Sequence, residues 1–298
     1  MESSTCCLAH LALRADAPVN SRRRSASVDL PWSMWAMMQK LRAQGLSRRQ
    51  GACVGERHGR ELTGVLGEFK ARRRALQRTQ FEALREALLG SPLVGHSTLG
   101  GTFAASRGFA VIFRHEGVAR VLERFPQLAP HLAATLGEPA VRALTPWWRG
   151  RHASVPNAWY LNLLVVPEGA AVARHVDVTL REVSGMQDAL PEVVSVLYLT
   201  VPQAVGGELR LSRPGADARY VSPRENLLVH FRGDLAHEVC PFFGAPQASR
   251  ASLVIEQYHF APLPLGRVPE FQLESRAGFS AYLRHHAGRP GTTFTIDR

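Results

Sequence analysis

His175-Val176-Asp177, Gly206-Gly207-Glu208-Leu209, Asn226-Leu227-Leu228-Val229-His230-Phe231, His237 and Arg250-Ala251-Ser252 follow one another within a single stretch, 175–252. The stretch lies in a longer region, from Ala158 onward, where short β-prone runs alternate with Gly and Pro turns: 158–166, 172–180, 193–201, 207–212, 218–221, 226–231, 236–243 and 250–260. Short strands at such spacing predict a jelly roll or double-stranded β-helix, with room inside for one small ligand. His175 and Asp177 are two positions apart, so a strand would turn both side chains to one face. With His237 arriving from another strand, they make the 2-His-1-carboxylate set that holds non-haem Fe(II) and leaves its remaining positions open. Arg250 falls where a buried guanidinium would grip a carboxylate through two parallel hydrogen bonds.

The chain has 298 residues, 45% of them apolar, which is enough for a packed core. No run approaches the ~18 consecutive apolar residues of a membrane-crossing helix, so no membrane span is expected. The formal charge of +11 is carried almost wholly by arginine, since lysine occurs only at Lys40 and Lys70. Much of it precedes residue 90, in Arg22-Arg23-Arg24, Arg48-Arg49 and Arg72-Arg73-Arg74. A basic arm attracts nucleic acid or acidic surfaces. No nucleic-acid-binding motif accompanies this one, and a nucleic-acid partner is not expected. Cys6, Cys7, Cys53 and Cys240 form neither a disulfide framework nor a Cys-x-x-Cys metal pair. Together with an amino terminus that lacks a basic start and a clean apolar run, this predicts a reducing, cytoplasmic setting.

The expected fold class is mainly β with flanking helices. A disordered or weakly ordered extension is expected over 1–60, a helical support region over 61–150, and the double-stranded β-helix core over 151–262. A carboxy-terminal extension, 263–298, carries one helix from about Ser275 to His286. Within the first region Leu30, Met34, Met37, Met38 and Leu41 form an apolar stripe that fits a short helix. A longer helix is predicted from Glu61 to Leu89, with Leu76, Phe81, Leu84 and Leu88 near helical spacing and Gly90-Ser91-Pro92 as its stop. Phe109-Ala110-Val111-Ile112-Phe113 reads as a strand. Helical patterns return at 116–124 and 128–137, separated by Pro126, with Pro130 in the first turn of the second and Gly137 at its end. The helical region and the loop from Leu180 to Glu192 are expected to shape the mouth of the pocket.

Several segments resemble, in order, the Fe(II)/2-oxoglutarate-dependent dioxygenase superfamily, above all its prolyl-hydroxylase-like branch. They are Val166-Pro167-Glu168-Gly169, His175-Val176-Asp177, Val196-Leu197-Tyr198-Leu199-Thr200, Gly206-Gly207-Glu208-Leu209, Pro223-Arg224-Glu225-Asn226-Leu227-Leu228-Val229-His230-Phe231, His237-Glu238-Val239 and Arg250-Ala251-Ser252-Leu253. The resemblance spans residues 158–260, about a third of the chain. It implies His175, Asp177 and His237 as iron ligands and Arg250 as partner of the distal carboxylate of 2-oxoglutarate, with Tyr198 and Ser252 adding hydrogen bonds. It further implies O2 as co-reactant, succinate and CO2 as products, ascorbate as a reductant that sustains the iron, and a small-molecule or peptidyl substrate. A carboxylate at Asp177 fills the position that halogenating relatives leave open, which favours hydroxylation. Relatives often carry a Tyr just before the turn preceding the triad, where this chain has Val165 and Val166; Tyr160 and Asn162 lie further back, and Asn162 is the candidate substrate contact on that strand.

Strand alternation puts Arg250, Ser252, Val254 and Glu256 on one inward face. A carboxylate inside a barrel must be paired, solvated or protonated, and Glu256 is expected to meet a cationic or hydrogen-bond-donating group of the substrate. Gly206-Gly207 reads as a hairpin turn. His230 reads as a strand-packing residue rather than a ligand. An alternative is a barrel that binds a ligand or partner without catalysis; succinate release from 2-oxoglutarate with Fe(II) and ascorbate discriminates the two.

Overall fold

The computed structural model of the protein describes residues 68–99, 101–144, 155–244 and 247–277. The expected extension over 1–60, the apolar stripe Leu30–Leu41 and all but the first three residues of the expected helix Ser275–His286 lie outside them. Those first three residues, 275–277, are not helical, and Arg276 bridges His96.

In chain order the elements are β1 (Phe69–Arg73), α1 (Arg78–Leu89), β2 (Gly95–His96), β3 (Arg107–Arg114), α2 (Val118–Arg124), α3 (Ala129–Thr135), α4 (Glu138–Ala143), β4 (Ala158–Pro167), β5 (Val172–His175) and α5 (Arg181–Ser184). Then come β6 (Val193–Thr200), β7 (Ala204–Gly206), β8 (Leu209–Ser212), β9 (Arg219–Val221), β10 (Leu227–Arg232), β11 (Ala236–Val239), β12 (Phe242–Gly244), β13 (Ser249–Tyr258), α6 (Pro262–Leu265) and β14 (Phe271–Glu274). A large antiparallel sheet has the order β1-β10-β6-β13-β4-β3-β14, with β2 also on β3. A second sheet runs β5-β11-β8-β9, and β7 pairs with β12 in a separate ribbon. The chain is thus mainly antiparallel β with few helices. Among the described residues no helix is long and apolar enough to cross a membrane.

The sorting of side chains by parity explains the layers. On the large sheet Phe109, Val111, Leu161, Leu163, Leu197, Leu253 and Ile255 share one apolar cluster with Phe81, Leu84, Leu88, Val121 and Leu132 of the helices. The opposite parity is turned to the smaller sheet. There Val194, Val196, Tyr198, Val229 and Phe231 cluster with Leu209, Leu211 and Val221, and Ile112, Tyr160, Leu164 and Val166 with Val172 and Val239. A sheet covered on both faces reads as continuous apolar runs, as in β6, Val-Val-Ser-Val-Leu-Tyr-Leu-Thr.

The helix expected from Glu61 begins only at Arg78. Residues 69–73 instead form the edge strand β1, paired with β10 from Phe69↔Phe231 to Arg73↔Leu227. Phe-Lys-Ala-Arg-Arg buries only its first residue. A charged strand of this kind suits a sheet edge, where Lys and Arg block further pairing. The helices α1–α3 pack on the far face of the large sheet, and among the described residues of the region 61–150 Leu99 and Phe103 line the cavity described below. The described contribution of that region to the cavity thus comes from the segment around Leu99 and Phe103 and not from α1–α3.

Candidate metal centre and its cavity

β5 ends on His175, and residues 176–178 lie outside any strand. The predicted strand 172–180 is therefore shorter than expected, and Asp177 does not owe its position to a shared strand face. His237, in β11, is the antiparallel partner of His175. The two rings lie 4.3 Å apart, with the edge of Phe103 against His175 and Phe231 against His237. All three side chains are buried, and their ligand atoms fall within 4.8 Å of one another.

The hydrogen bonds at the back of each ring fix its tautomer. His175 Nδ1 lies 2.8 Å from the Ala173 carbonyl and His237 Nδ1 lies 3.2 Å from the Leu235 carbonyl. A carbonyl only accepts, so each Nδ1 carries the proton by inference from its partner. In a neutral ring Nε2 then presents a lone pair. The two Nε2 atoms face Asp177 Oδ1 at 3.3 Å and Oδ2 at 3.4 Å. Lone pairs facing a carboxylate at that separation repel unless a cation lies between them or the rings are protonated. Two imidazoles braced by backbone carbonyls and one carboxylate make a donor set that fits a divalent transition metal.

The same cavity is lined by Asn162, Tyr198, Arg250, Ser252, Val254 and Glu256, within walls that include Leu164, Val172, Val194 and Val196. Arg250 is 2% exposed. Its Nη1 donates to the Gly207 carbonyl at 2.6 Å, and its guanidinium sits 5.3 Å from the centre of the Tyr198 ring. Burial lowers the Arg250 pKa, with Tyr198 and Cys240 acting in the opposite sense. Burial raises the Tyr198 pKa, which Arg250 partly offsets. Among the described residues no Asp or Glu forms an ion pair with Arg250, and Arg250 Nε, Tyr198 Oη and Ser252 Oγ are buried without a hydrogen-bond partner. A buried guanidinium with an unpartnered nitrogen, and two unpartnered hydroxyls in the same cavity lining, fit an anionic ligand with several acceptor oxygens.

Gly206-Gly207 joins β7 to β8, which belong to different sheets, so it is not the expected hairpin turn. Both residues have positive φ, and a Cβ on Gly206 would lie 2.3 Å from the Pro241 carbonyl oxygen. This crossing presents the Gly207 carbonyl to Arg250. His230 faces the helices. Its Nδ1 lies 2.8 Å from Ser195 Oγ, and burial above all, then Arg72 and Lys70, lowers its pKa to about 4. His230 is thus removed from the metal-centre face.

Asn162 and Glu256 both line the cavity from the large sheet. Glu256 is buried and accepts from Thr179 Oγ1 at 2.7 Å, from Thr179 N at 3.3 Å and from Tyr258 Oη. Sequence reasoning missed Thr179, Tyr258, Phe103 and the Gly207 carbonyl. Tyr258 was within reach of it, because alternation from Glu256 leads to that position. Thr179 was hidden by the assumption that β5 continued, and a backbone carbonyl carries no residue signature.

No family model matches the chain, and no curated protein matches it. Solved structures do. The chain is similar to a Pseudomonas putida prolyl-4-hydroxylase (19% identity, covering 65% of this chain and 93% of that one, TM-score 0.47). It is also similar to a Trichoplax adhaerens prolyl hydroxylase solved with a hypoxia-inducible-factor oxygen degradation domain peptide fragment (16%, covering 64% and 84%, TM-score 0.44). A 2OG-Fe(II) oxygenase family oxidoreductase from Burkholderia pseudomallei is a third (16%, covering 44% and 57%, TM-score 0.32). At identities below 20% and TM-scores below 0.5, these likenesses decide nothing about chemistry or substrate.

Proposed function

We propose that the chain is an Fe(II)- and 2-oxoglutarate-dependent dioxygenase that hydroxylates a C–H bond of a small-molecule or peptidyl substrate, on a sandwich of the double-stranded β-helix type. The catalytic core is assigned to 151–262, with 61–150 as its support. The observation that carries this reading is the convergence, in one cavity, of the His175–Asp177–His237 donor set and the buried Arg250 beside the unpartnered Tyr198 Oη and Ser252 Oγ. A buried cation without an anion is costly, and a dicarboxylate that reaches from the metal to Arg250 answers that cost.

Iron with its cosubstrate supplies the oxidation of a C–H bond by O2, coupled to conversion of 2-oxoglutarate to succinate and CO2. The protein orients and shields. His175 and His237 would bind the metal through Nε2, with ring angles held by the Ala173 and Leu235 carbonyls. Asp177 would supply the third ligand and balance part of the metal charge. Arg250, with Nη1 spent on Gly207, would offer its other donors to the distal carboxylate beside Tyr198 and Ser252. The apolar walls exclude water, which strengthens each of these charged contacts. Asn162 lines the same cavity and would be open to the substrate, whereas both oxygens of Glu256 already accept from Thr179 and Tyr258.

The test is succinate formation from 2-oxoglutarate with Fe(II) and ascorbate, together with Fe(II) binding measured anaerobically. Asp177→Ala and His237→Ala are expected to abolish the first and weaken the second, while His230→Ala keeps both. Full turnover by His237→Ala, or wild-type protein that neither binds Fe(II) nor releases succinate, refutes the assignment.

A further inference from the structure

Asp177 has an unusual position for a ligand. The ladder between β5 and β11 ends at the His175↔His237 pair, and Asp177 follows on a segment outside any strand. Its carboxylate is nevertheless buried and aimed between two rings at 3.3 and 3.4 Å. A short side chain is only as well placed as its backbone, so something beyond the ladder must hold this segment.

We infer that Glu256 is the positioning residue for Asp177, acting through Thr179; the inference rests on Asp177 being a metal ligand. Two residues beyond Asp177, the buried Thr179 gives its hydroxyl to one oxygen of Glu256 and its backbone N–H to the other. Tyr258, on the same face of β13, donates its phenol to Glu256 and fixes the carboxylate from behind. Glu256 belongs to the middle of the large sheet, where β13 is paired on both sides, with Tyr160 of β4 and Val194 of β6. A loop tied by both carboxylate oxygens to such a strand has little freedom to swing. The cost of burying a carboxylate is met by the three donors. β13 then serves both halves of the site: Arg250 faces the cosubstrate, and Glu256 holds the metal's carboxylate ligand through the loop.

Partners that orient metal ligands are typically worth ~10–100-fold in metal affinity. Glu256→Gln removes the charge and one acceptor. Thr179→Val removes the hydroxyl and nearly keeps the shape, whereas Thr179→Ser keeps the hydroxyl. The measurement is the dissociation constant of Fe(II), by anaerobic competition with a chromophoric chelator, alongside the melting temperature of each metal-free protein. Glu256→Gln and Thr179→Val are expected to weaken Fe(II) binding by ~10–100-fold, and the double variant to be no weaker than the weaker single variant, as for one shared contact. Thr179→Ser is expected to bind as the wild type does. Metal-free melting temperatures that leave every variant folded at the assay temperature tie the loss to the site and not to unfolding. Wild-type affinity in Glu256→Gln or Thr179→Val overturns the inference. So does Thr179→Ser behaving like Thr179→Val, which would mark a packing role. Unchanged metal affinity with a raised substrate KM in Glu256→Gln overturns it too, in favour of a substrate contact. Wild-type protein that binds no Fe(II) overturns the metal reading and the inference with it; the other outcomes leave that reading standing.

Discussion

Replacing Arg250 separates a binding role from a structural one. Its guanidinium is buried, one nitrogen is spent on the Gly207 carbonyl, and Nε is unpartnered, as are Tyr198 Oη and Ser252 Oγ of the same cavity lining. If a carboxylate of 2-oxoglutarate completes this group, Arg250→Met removes the charged half of a buried pair, a loss of ~3–5 kcal/mol. In affinity that is about two to four decades. Tyr198→Phe and Ser252→Ala each remove one hydrogen bond to a charged group, ~1.5–3 kcal/mol or about one to two decades. Arg250→Lys keeps the charge without the planar fork and falls between.

The ligand-free protein responds differently. Arg250→Met leaves the Gly207 carbonyl without its donor, a cost of ~1–3 kcal/mol, but it also ends the burial of a cation that has no carboxylate partner. The two effects oppose each other, so metal-free stability changes far less than cosubstrate affinity. Anaerobic calorimetric titration of the Fe(II)-loaded protein with 2-oxoglutarate gives the first quantity, and urea unfolding of the metal-free protein gives the second. Unchanged 2-oxoglutarate affinity in Arg250→Met refutes the assignment. A large loss of stability with only a proportionate loss of binding would make Arg250 a structural residue.

Two further outcomes follow from the same structure. His230 has a folded pKa of about 4 against an ordinary 6.5, so the fold favours its neutral form. Its contribution to stability is complete above about pH 6.5 and is lost as pH falls to 4, because the unfolded chain takes up the proton first; the loss is roughly 3 kcal/mol. His131, whose pKa burial lowers to about 3, acts in the same sense, so His230→Asn should reduce but not abolish the slope of the urea midpoint against pH over that window, and an equally steep profile counts against the burial argument. Gly207 has φ +79°, and a Cβ there would lie 3.2 Å from Phe242 Cβ. Gly207→Ala should cost ~1–2 kcal/mol of stability and weaken 2-oxoglutarate binding by displacing the carbonyl that holds Arg250, whereas unaltered binding would detach that carbonyl from the site.

Much of the site was legible because β13 is a long regular strand. Period-two alternation from Arg250 brings Ser252, Val254 and Glu256 to the cavity with no knowledge of their neighbours. The β-rich texture from Ala158 likewise located most strands to within a few residues. The misreadings fall where non-local pairing decides. Phe69–Arg73 is a strand only because β10 lies beside it, and Phe271–Glu274 only because β3 does. Placing Asp177 on a strand also hides what holds it, because Thr179, which links the loop to Glu256, then reads as one more strand residue. The unexplained buried carboxylate and the unexplained ligand position were one problem, joined by Thr179.

Hydropathy does not separate the working face of the large sheet from the supporting one, since both are buried and both carry polar side chains. The difference lies in how those polar groups are satisfied. On the helix side Gln257 donates to the Thr135 carbonyl and Ser195 Oγ and accepts from Trp159 Nε1 and the Gly137 amide, while Ser195 also meets His230. These groups are met by the protein itself; His131, whose Nδ1 lies 3.3 Å from Thr135 Oγ1, leaves its Nε2 unpartnered on this side. On the cavity side Arg250 Nε, Tyr198 Oη and Ser252 Oγ are unpartnered, and their residues line one cavity. Buried polar groups normally find partners, so a set without them around one cavity fits a face that receives a ligand. A residue list cannot make that distinction, because Ser195 and Ser252 read alike in sequence. It follows that removing the Ser195 hydroxyl should lower stability and spare cosubstrate binding, while removing the Ser252 hydroxyl should do the reverse; Ser195→Ala and Ser252→Ala, compared by urea unfolding and 2-oxoglutarate titration, would refute the distinction by behaving alike.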